Sequence, residues 1–405
     1  MKDITNYSII IPGSKNSVYV DTIDGKVLLL NNDYLSEKKD TLSKIDKFEI
    51  KRIFYSKIKS KEVIKLWLFT TLNCDLNCIY CIQNGSKIDK NEAMSKKLID
   101  QTVKFLDYYA DETTERVEIV YFGGEPLMNF DVIQYAMIHY NNTTRRPIVH
   151  RLITNGYSLN LNKIKKLSKL GICDVQITID GNKDIHNCRR ITKSKKGTFD
   201  RIKSNLITLL NETEQTQIII KTTVDKSNKD SIKEFIEQEA EILRHDRIHL
   251  DISMVEDINH EPKSDLYMSR KEFSDFYEGI VYYVYKMGIK AVPPYSGGCN
   301  LNYRSSIFLA PSGTVYRCPS MVDNSKFAAG NIYNLEFQDD KYNGGSYISQ
   351  ECMTCKFLFL CDGGCKYNSI VYSEGNKNYE KNCYYNEINR DLYNYYAAKY
   401  SKYLV

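Results

Sequence analysis

Nowhere in this 405-residue chain do apolar residues run on for the roughly 18 positions that a membrane-spanning helix needs. The N-terminus, Met1-Lys2-Asp3-Ile4-Thr5, has no apolar stretch ahead of a small-residue cleavage site, so no secretory signal is expected. Strong charge of one sign is also missing. The 56 Lys and Arg against 51 Asp and Glu leave +5, dispersed along the chain, which argues against a nucleic-acid partner. No membrane partner is expected either, and a reducing cytoplasm is the expected compartment. With 42% apolar and 26% charged residues, the composition is neither that of a disordered chain nor that of a fibrous one. The length predicts two or three domains. The 32 tyrosines, with abundant Lys, Asn and Ile, read as base-composition bias and carry no functional inference.

What the chain does have is cysteine. Of the 12 present, Cys74, Cys78 and Cys81 form one group, and Cys299, Cys318, Cys352, Cys355, Cys361, Cys365 and Cys383 form another. Cys173 and Cys188 stand apart and read as free thiols. A secreted disulfide scaffold would be smaller and would need an export signal, so metal or cluster binding is the better expectation.

Residues 7–11 and 17–30 read as β-like runs, the second broken by the hairpin signal Asp24-Gly25. The charged stretch 36–61 reads as a short helix and linker. Strands are then expected at 66–71, 117–122, 148–154, 174–180, 217–224 and 247–255. Helices are expected between them at 91–110, 131–141, 161–170, 198–210 and 229–243, and one more at 270–287. Asn91 is the expected N-cap of the first, and Gly171 the expected C′ glycine of the third. Such alternation implies a parallel sheet with right-handed crossovers, either doubly wound or an open part of a (β/α) barrel. Past Pro293-Pro294 the alternation stops, and Gly, Cys, Tyr and Asn dominate. The expected division is an N-terminal extension at 1–62, an α/β domain at 63–290, and a ligand-organised domain at 291–405.

Cys74, Cys78 and Cys81 fall on C-x3-C-x2-C directly after the first α/β strand, at the strand ends where such folds place chemistry. Three thiolates complete neither a tetrahedral zinc site nor all four corners of a cubane, so one iron of a cubane would stay open. A zinc site with a distant fourth ligand, or three unrelated cysteines, are the alternatives on spacing alone. Gly123-Gly124-Glu125-Pro126 follows the second strand. Paired glycines there allow close backbone approach, and the carboxylate can accept from an ammonium group; an ordinary turn is the alternative.

The run Asn73-Cys74-Asp75-Leu76-Asn77-Cys78-Ile79-Tyr80-Cys81 resembles the signature of radical S-adenosylmethionine (SAM) enzymes, including the aromatic Tyr80 before the third cysteine. The resemblance holds in order from about Lys65 to Val255 and implies a partial (β/α)6 TIM-like barrel of the α/β class. It implies a [4Fe-4S] cluster on Cys74, Cys78 and Cys81 whose open iron chelates SAM. Reductive cleavage would give methionine and a 5′-deoxyadenosyl radical that takes hydrogen from substrate. Gly123, Gly124 and Glu125 would contact the methionine amino group. Asn155, in Thr154-Asn155-Gly156, and Asp180, in Thr178-Ile179-Asp180-Gly181, would line the SAM and substrate mouth, with Tyr80 beside them. Arg190 would lie near the SAM carboxylate, while His186 reads as structural.

The C-terminal set reads Cys299-x13-Gly313-x4-Cys318, then Cys352-x2-Cys355-x5-Cys361-x3-Cys365, then Cys383. A single zinc ion on Cys352, Cys355, Cys361 and Cys365 is one reading. The order and spacing also resemble the SPASM extension, with Cys361-Asp362-Gly363-Gly364-Cys365 standing where CGGGC is usual. That resemblance implies two auxiliary [4Fe-4S] clusters, three in all. Cys352, Cys355, Cys361 and Cys383 would hold the second, and Cys299, Cys318 and Cys365 the first. The first then lacks a fourth thiolate, and either a substrate thiolate or an Asp, Asn, backbone amide or water fills that position.

Most SPASM enzymes act on peptides. The expected function is a maturase that forms a crosslink, a Cys thioether first, in a ribosomally made precursor peptide with a leader and a Cys-containing core, drawing electrons from flavodoxin or ferredoxin. Formylglycine formation of the anaerobic sulfatase-maturase type is the alternative enzyme. Its base, an Asp after the second auxiliary cysteine, is replaced here by Pro319 and Ser320 after Cys318. A non-catalytic iron–sulfur electron carrier is the alternative outside enzymes. The first sixty residues, with their hairpin, are either a reduced leader-recognition element or a structural extension. The basic run Lys193-Ser194-Lys195-Lys196 would meet an acidic leader or is a solvated loop.

Overall fold

The computed structural model describes residues 4–38, 44–81, 92–256, 265–295, 298–322, 324–338, 348–368, 370 and 383–404. The chain divides into two compact units. One comprises Met1–Lys59, Met268–Tyr303 and Tyr342–Val405, and the other Ser60–Tyr267 and Arg304–Lys341.

In the first unit, β1 (Ile4–Asn6) pairs with β5 (Lys44–Asp46). Strands β2 (Ser8–Ile11), β3 (Asn16–Asp21) and β4 (Val27–Asn31) form an antiparallel sheet. Its second turn is the expected one: Gly25 has φ 75° and its N–H donates to Asp21 O at 3.0 Å. Helix α1 (Asn32–Lys38) follows, then α2 (Lys47–Lys59), three turns where the charge pattern suggests only a short helix. The apolar stripe Ile50, Phe54 and Ile58 drives α2: it buries against Tyr7, Met353, Leu358 and Phe359. Rings of Phe54 and Phe359 meet edge to face at 5.8 Å, and the Tyr7 hydroxyl donates to Met353 O at 2.9 Å.

The second unit carries the α/β alternation. In chain order it holds β6 (Val63–Thr71), β7 (Leu76–Cys78), α3 (Lys96–Tyr109), β8 (Arg116–Gly123), α4 (Phe130–Thr143), β9 (Ile148–Thr154) and α5 (Leu161–Lys169). Next come β10 (Ile172–Thr178), α6 (Lys183–Arg189), β11 (Arg190–Thr192), α7 (Phe199–Glu212), β12 (Gln217–Val224), α8 (Ile232–Gln238), α9 (Ala240–Leu243) and β13 (Ile248–Met254). Strands β6, β8, β9, β10, β12 and β13 lie side by side in that order, all parallel, as an open (β/α)6 sheet. Past β6 the sheet gains β14 (Ser306–Leu309), parallel to β6, then β15 (Thr314–Tyr316), β16 (Gly330–Asn331) and β17 (Glu336–Phe337), antiparallel. Trp67 stacks on Phe308 at 5.3 Å and meets Phe122 edge-on at 6.0 Å, tying β14, β6 and β8 together.

Helix starts follow local chemistry. Ser95, Asn160 and Asn182 cap α3, α5 and α6 through their side chains. The cap of α3 is thus Ser95; Asn91 lies outside the described residues. Gly171 takes φ 84°, as a C′ glycine does. The single helix expected at 229–243 is broken: Glu239 leaves the helix at φ −106°, ψ 14°, and its carboxylate accepts from Lys203 Nζ at 2.9 Å.

Back in the first unit, α10 (Arg270–Lys286) opens on a capping box of Ser269 and Glu272. It packs on α12 (Tyr385–Lys399), while α11 (Leu358–Cys361) is a single turn among the cysteines. Buried Asp391 accepts from Ser274 and, at 2.8 Å, from the Tyr295 hydroxyl.

Candidate active site

All six parallel strands end on one edge of the sheet, and the residues just past those ends build the site. β6 stops at Thr71 and the chain turns into the loop bearing Cys74, Cys78 and Cys81, all half-buried. The Cys74 sulfur accepts from Leu76 N at 3.4 Å. β7 then pairs antiparallel with β11, setting Cys78 opposite Arg190. Neither strand exceeds three residues, too short for periodicity to reveal, so the sequence reading missed this pairing.

Gly123 and Gly124 approach backbone closely, as expected, and the backbone they approach is the cysteine loop itself. A Cβ on Gly123 would lie 2.2 Å from Thr71 O, and one on Gly124 2.3 Å from Asn73 O. Gly123 also takes φ 136°. Gly124 N donates to Thr71 O at 2.9 Å and Glu125 N to Asn73 O at 2.8 Å, so the segment clamps the loop.

Glu125 is fully buried. Its carboxylate accepts from Leu127 N at 3.0 Å, Thr154 Oγ1 at 2.7 Å and Asn155 N at 2.7 Å, joining the ends of β8 and β9. Burial pushes its pKa up to about 7, against the pull of these donors. Asn155 Nδ2 donates to Asp75 Oδ1 at 2.7 Å and lies 3.8 Å from the Cys74 sulfur. Ser158 Oγ donates to the other Asp75 oxygen at 2.5 Å. Asp75 thus latches the loop to the turn after β9, a role its place beside Cys74 did not reveal. Burial pushes the Cys74 thiol up to about 12, so its thiolate needs a cation bound to it.

Tyr80, Asp180 and Arg190 come together on the other side of the loop. The Tyr80 hydroxyl donates to Asp180 Oδ2 at 2.5 Å and accepts from Arg190 Nη1 at 2.6 Å. Asp180, fully buried, also accepts Thr223 N at 3.1 Å. Arg189, which sequence reasoning passed over, stacks its guanidinium 4.8 Å over the Tyr80 ring and pairs with Asp225 at 2.6 Å. His186 is buried and held well below the usual imidazole range by burial, hence neutral. Its Nδ1 accepts Asp180 N at 3.2 Å and its Nε2 faces Thr198 Oγ1 at 3.0 Å, a bracing role. Arg190 is nearly buried, and its Nε makes no hydrogen bond, so it keeps a donor for an anionic group beside Cys78.

Of the C-terminal cysteines, Cys318 follows β15 in the sheet unit, and the others belong to the first unit. Burial pushes the Cys355 thiol up, with Cys352 and Cys383 near it, and the Cys361 thiol up to about 11, with Cys355 and Cys352 near it. Burial pushes the Cys299 thiol up as well, and Cys365 lies near it. Lys366 is buried, donates to Gly363 O at 3.0 Å, and lies in the field of Cys299, Cys352 and Cys361. Cys173 and Cys188 are exposed. Among the described residues, no three His, Cys, Asp or Glu side chains gather tightly enough to hold a single metal ion. The corners of a polynuclear cluster set thiols wider than one ion's ligands.

Residues 68–238 match the family model of the radical SAM superfamily. Over that segment, less than half of its length, the chain is similar to radical SAM enzymes. It is 25% identical to the radical SAM cyclopropyl synthase TigE of Paramaledivibacter caminithermalis, over 79% of this chain and 72% of that one. It is 26% identical to the cysteine-type anaerobic sulfatase-maturating enzyme of Clostridium novyi, over 73% and 86%. Its fold matches Streptococcus suis SuiB, solved with precursor peptide SuiA, at a TM-score of 0.60 and 13% identity, over 92% and 97%. The match over residues 68–238 supports binding of SAM and of an iron–sulfur cluster. The donors fit: three half-buried thiols on one clamped loop, and Arg190 with a buried, unused N–H beside them. Among the described residues no helix is long and apolar enough to cross a membrane.

Proposed function

We propose that this chain is a radical SAM enzyme that oxidises a cysteine-bearing peptide or protein segment at the mouth of the β6–β13 sheet. The observation that carries it is the loop after β6: three thiols and no fourth, clamped by the ends of β8 and β9. Cys74, Cys78 and Cys81 would hold a [4Fe-4S] cluster, which supplies the electron that splits SAM and so makes a hydrogen-abstracting radical. Arg190 would meet the SAM carboxylate with its unused N–H, and the Gly123-Gly124-Glu125 segment the amino group. Glu125, Asp180 and Tyr80 would act through the residues they hold, since their polar atoms are already engaged within the protein. Asn155 would present Cys74. A reductant such as ferredoxin or flavodoxin would supply the electron that splits SAM, and two auxiliary clusters, on Cys352, Cys355, Cys361 and Cys383 and on Cys299, Cys318 and Cys365, would take one electron back from the oxidised substrate. Residues 1–62, 63–290 and 291–405 would serve as extension, radical SAM and SPASM segments.

Formylglycine-type oxidation of a cysteine is the first reading, because it is supported by the sulfatase-maturating relative, which this chain matches over 86% of its length. Thioether formation, put first on sequence grounds, is the second. It is favoured by Pro319 and Ser320, which offer no carboxylate base after Cys318. The test is mass spectrometry of Cys-containing peptides after anaerobic turnover with SAM. Loss of sulfur with an aldehyde trapped by hydrazide supports the first reading. Loss of two hydrogens with sulfur retained supports the second, and deoxyadenosine without any peptide change opposes both.

A further inference from the structure

The turn from Cys361 to Cys365 carries an aspartate where the motif it resembles has glycine. Asp362 adopts φ 53°, a region that favours glycine, and its side chain is fully buried. Its Oδ2 accepts the Cys299 N–H at 2.7 Å, its Oδ1 the Tyr303 hydroxyl at 3.0 Å, and its backbone carbonyl the Asn302 Nδ2 at 3.1 Å. Room for the carboxylate is made by Gly298, at φ 62°, where a Cβ would stand 2.1 Å from Oδ2 and 2.8 Å from the Tyr303 hydroxyl. The Lys366 amide, one residue past Cys365, points at the Cys299 sulfur.

We propose that Asp362 is a positioning residue whose carboxylate latches the Cys299 segment onto the Cys361–Cys365 turn, so that Cys299 and Cys365 are presented together as ligands. The proposal rests on the reading of these thiols as cluster ligands. A left-handed aspartate is tolerated because its carboxylate satisfies an amide 63 residues away in sequence that would otherwise be left without an acceptor. Asparagine keeps that acceptor; glycine does not.

The test compares D362G, D362N and G298A with wild type in the full-length, anaerobically reconstituted enzyme. Amide hydrogen exchange of the peptide containing Cys299 is read against that of strand β8. Exchange at Cys299 should rise at least tenfold in D362G and G298A, stay near wild type in D362N, and leave β8 unchanged. Iron should fall from about twelve to about eight per chain in D362G and hold in D362N. Unchanged exchange in D362G overturns the latch. So does D362N behaving as D362G, because charge, as in a direct iron ligand, would then matter rather than the hydrogen bond. Wild type holding far fewer than twelve irons would count against the cluster reading, and the exchange comparison would still decide the latch.

Discussion

The two cysteine sets are held by different means. Around Cys74, Cys78 and Cys81 backbone pairing takes part beside side chains such as Asp75: Gly124 and Glu125 amides sit on the carbonyls of Thr71 and Asn73, and β7 and β11 form a short ladder. The C-terminal thiols of the first unit stand on single turns, such as the 3-10 turn Gln350–Thr354 and α11, and side chains hold them. Those side chains are Asp362, buried Lys366 and the ring cluster of Tyr7, Phe54 and Phe359. A sheet edge shapes its site before any ligand arrives. A set of single turns draws more of its order from its ligands, as small metal domains do. The barrel loop should therefore keep its shape without iron, and the C-terminal segment should loosen.

The largest effect expected separates the two sets by activity. Cys78→Ala should bring dithionite-driven cleavage of SAM to background, whereas Cys361→Ala should retain part of that cleavage and lose peptide product. Full peptide turnover by Cys361→Ala would remove the auxiliary set from the reaction. Next in size is Gly124→Ala. A Cβ 2.3 Å from Asn73 O and 2.6 Å from Leu72 O must move the loop, so SAM cleavage should drop at least tenfold, with the C-terminal irons retained. Wild-type cleavage by that variant would show that the clamp is dispensable.

A smaller effect concerns pH. Glu125 titrates at about 7 in the fold, against 4.5 ordinarily. The unfolded chain loses that proton first, so stability is full below about 4.5 and falls as pH rises towards about 7, by up to about 3 kcal/mol. Thermal melting of the iron-free chain should show that slope, and Glu125→Gln, uncharged throughout, should flatten it. A slope that survives the substitution belongs to another group. Smallest is Tyr80→Phe, which removes the hydroxyl between Asp180 and Arg190 while keeping the ring under Arg189. It should cost about 1–2 kcal/mol in denaturant unfolding, and no loss would make the hydroxyl a passenger.

Strand positions were legible because each is an apolar run closed by small or polar residues: 117–122 is expected and Arg116–Gly123 is found. The fourth strand stops at Thr178, leaving Asp180 past its end and free to meet Tyr80. The ladder of β7 and β11 was not legible, having three residues a side. Nor was the break at Glu239, whose carboxylate pairs with Lys203 on another helix. At the site, residue types and order identified the thiols, the glycines and Glu125. What the glycines press against, and the partnerships of Asp75 with Ser158, Arg189 with Asp225 and Asp362 with Cys299, join residues 36 or more positions apart and exist only in the folded chain.

The most direct test of the account is iron and acid-labile sulfide per chain after anaerobic reconstitution, for wild type beside Cys74/Cys78/Cys81→Ala. Three cubanes predict about twelve irons in wild type and about eight in the variant. About four irons with bound zinc in wild type, or a variant that loses none, would contradict it.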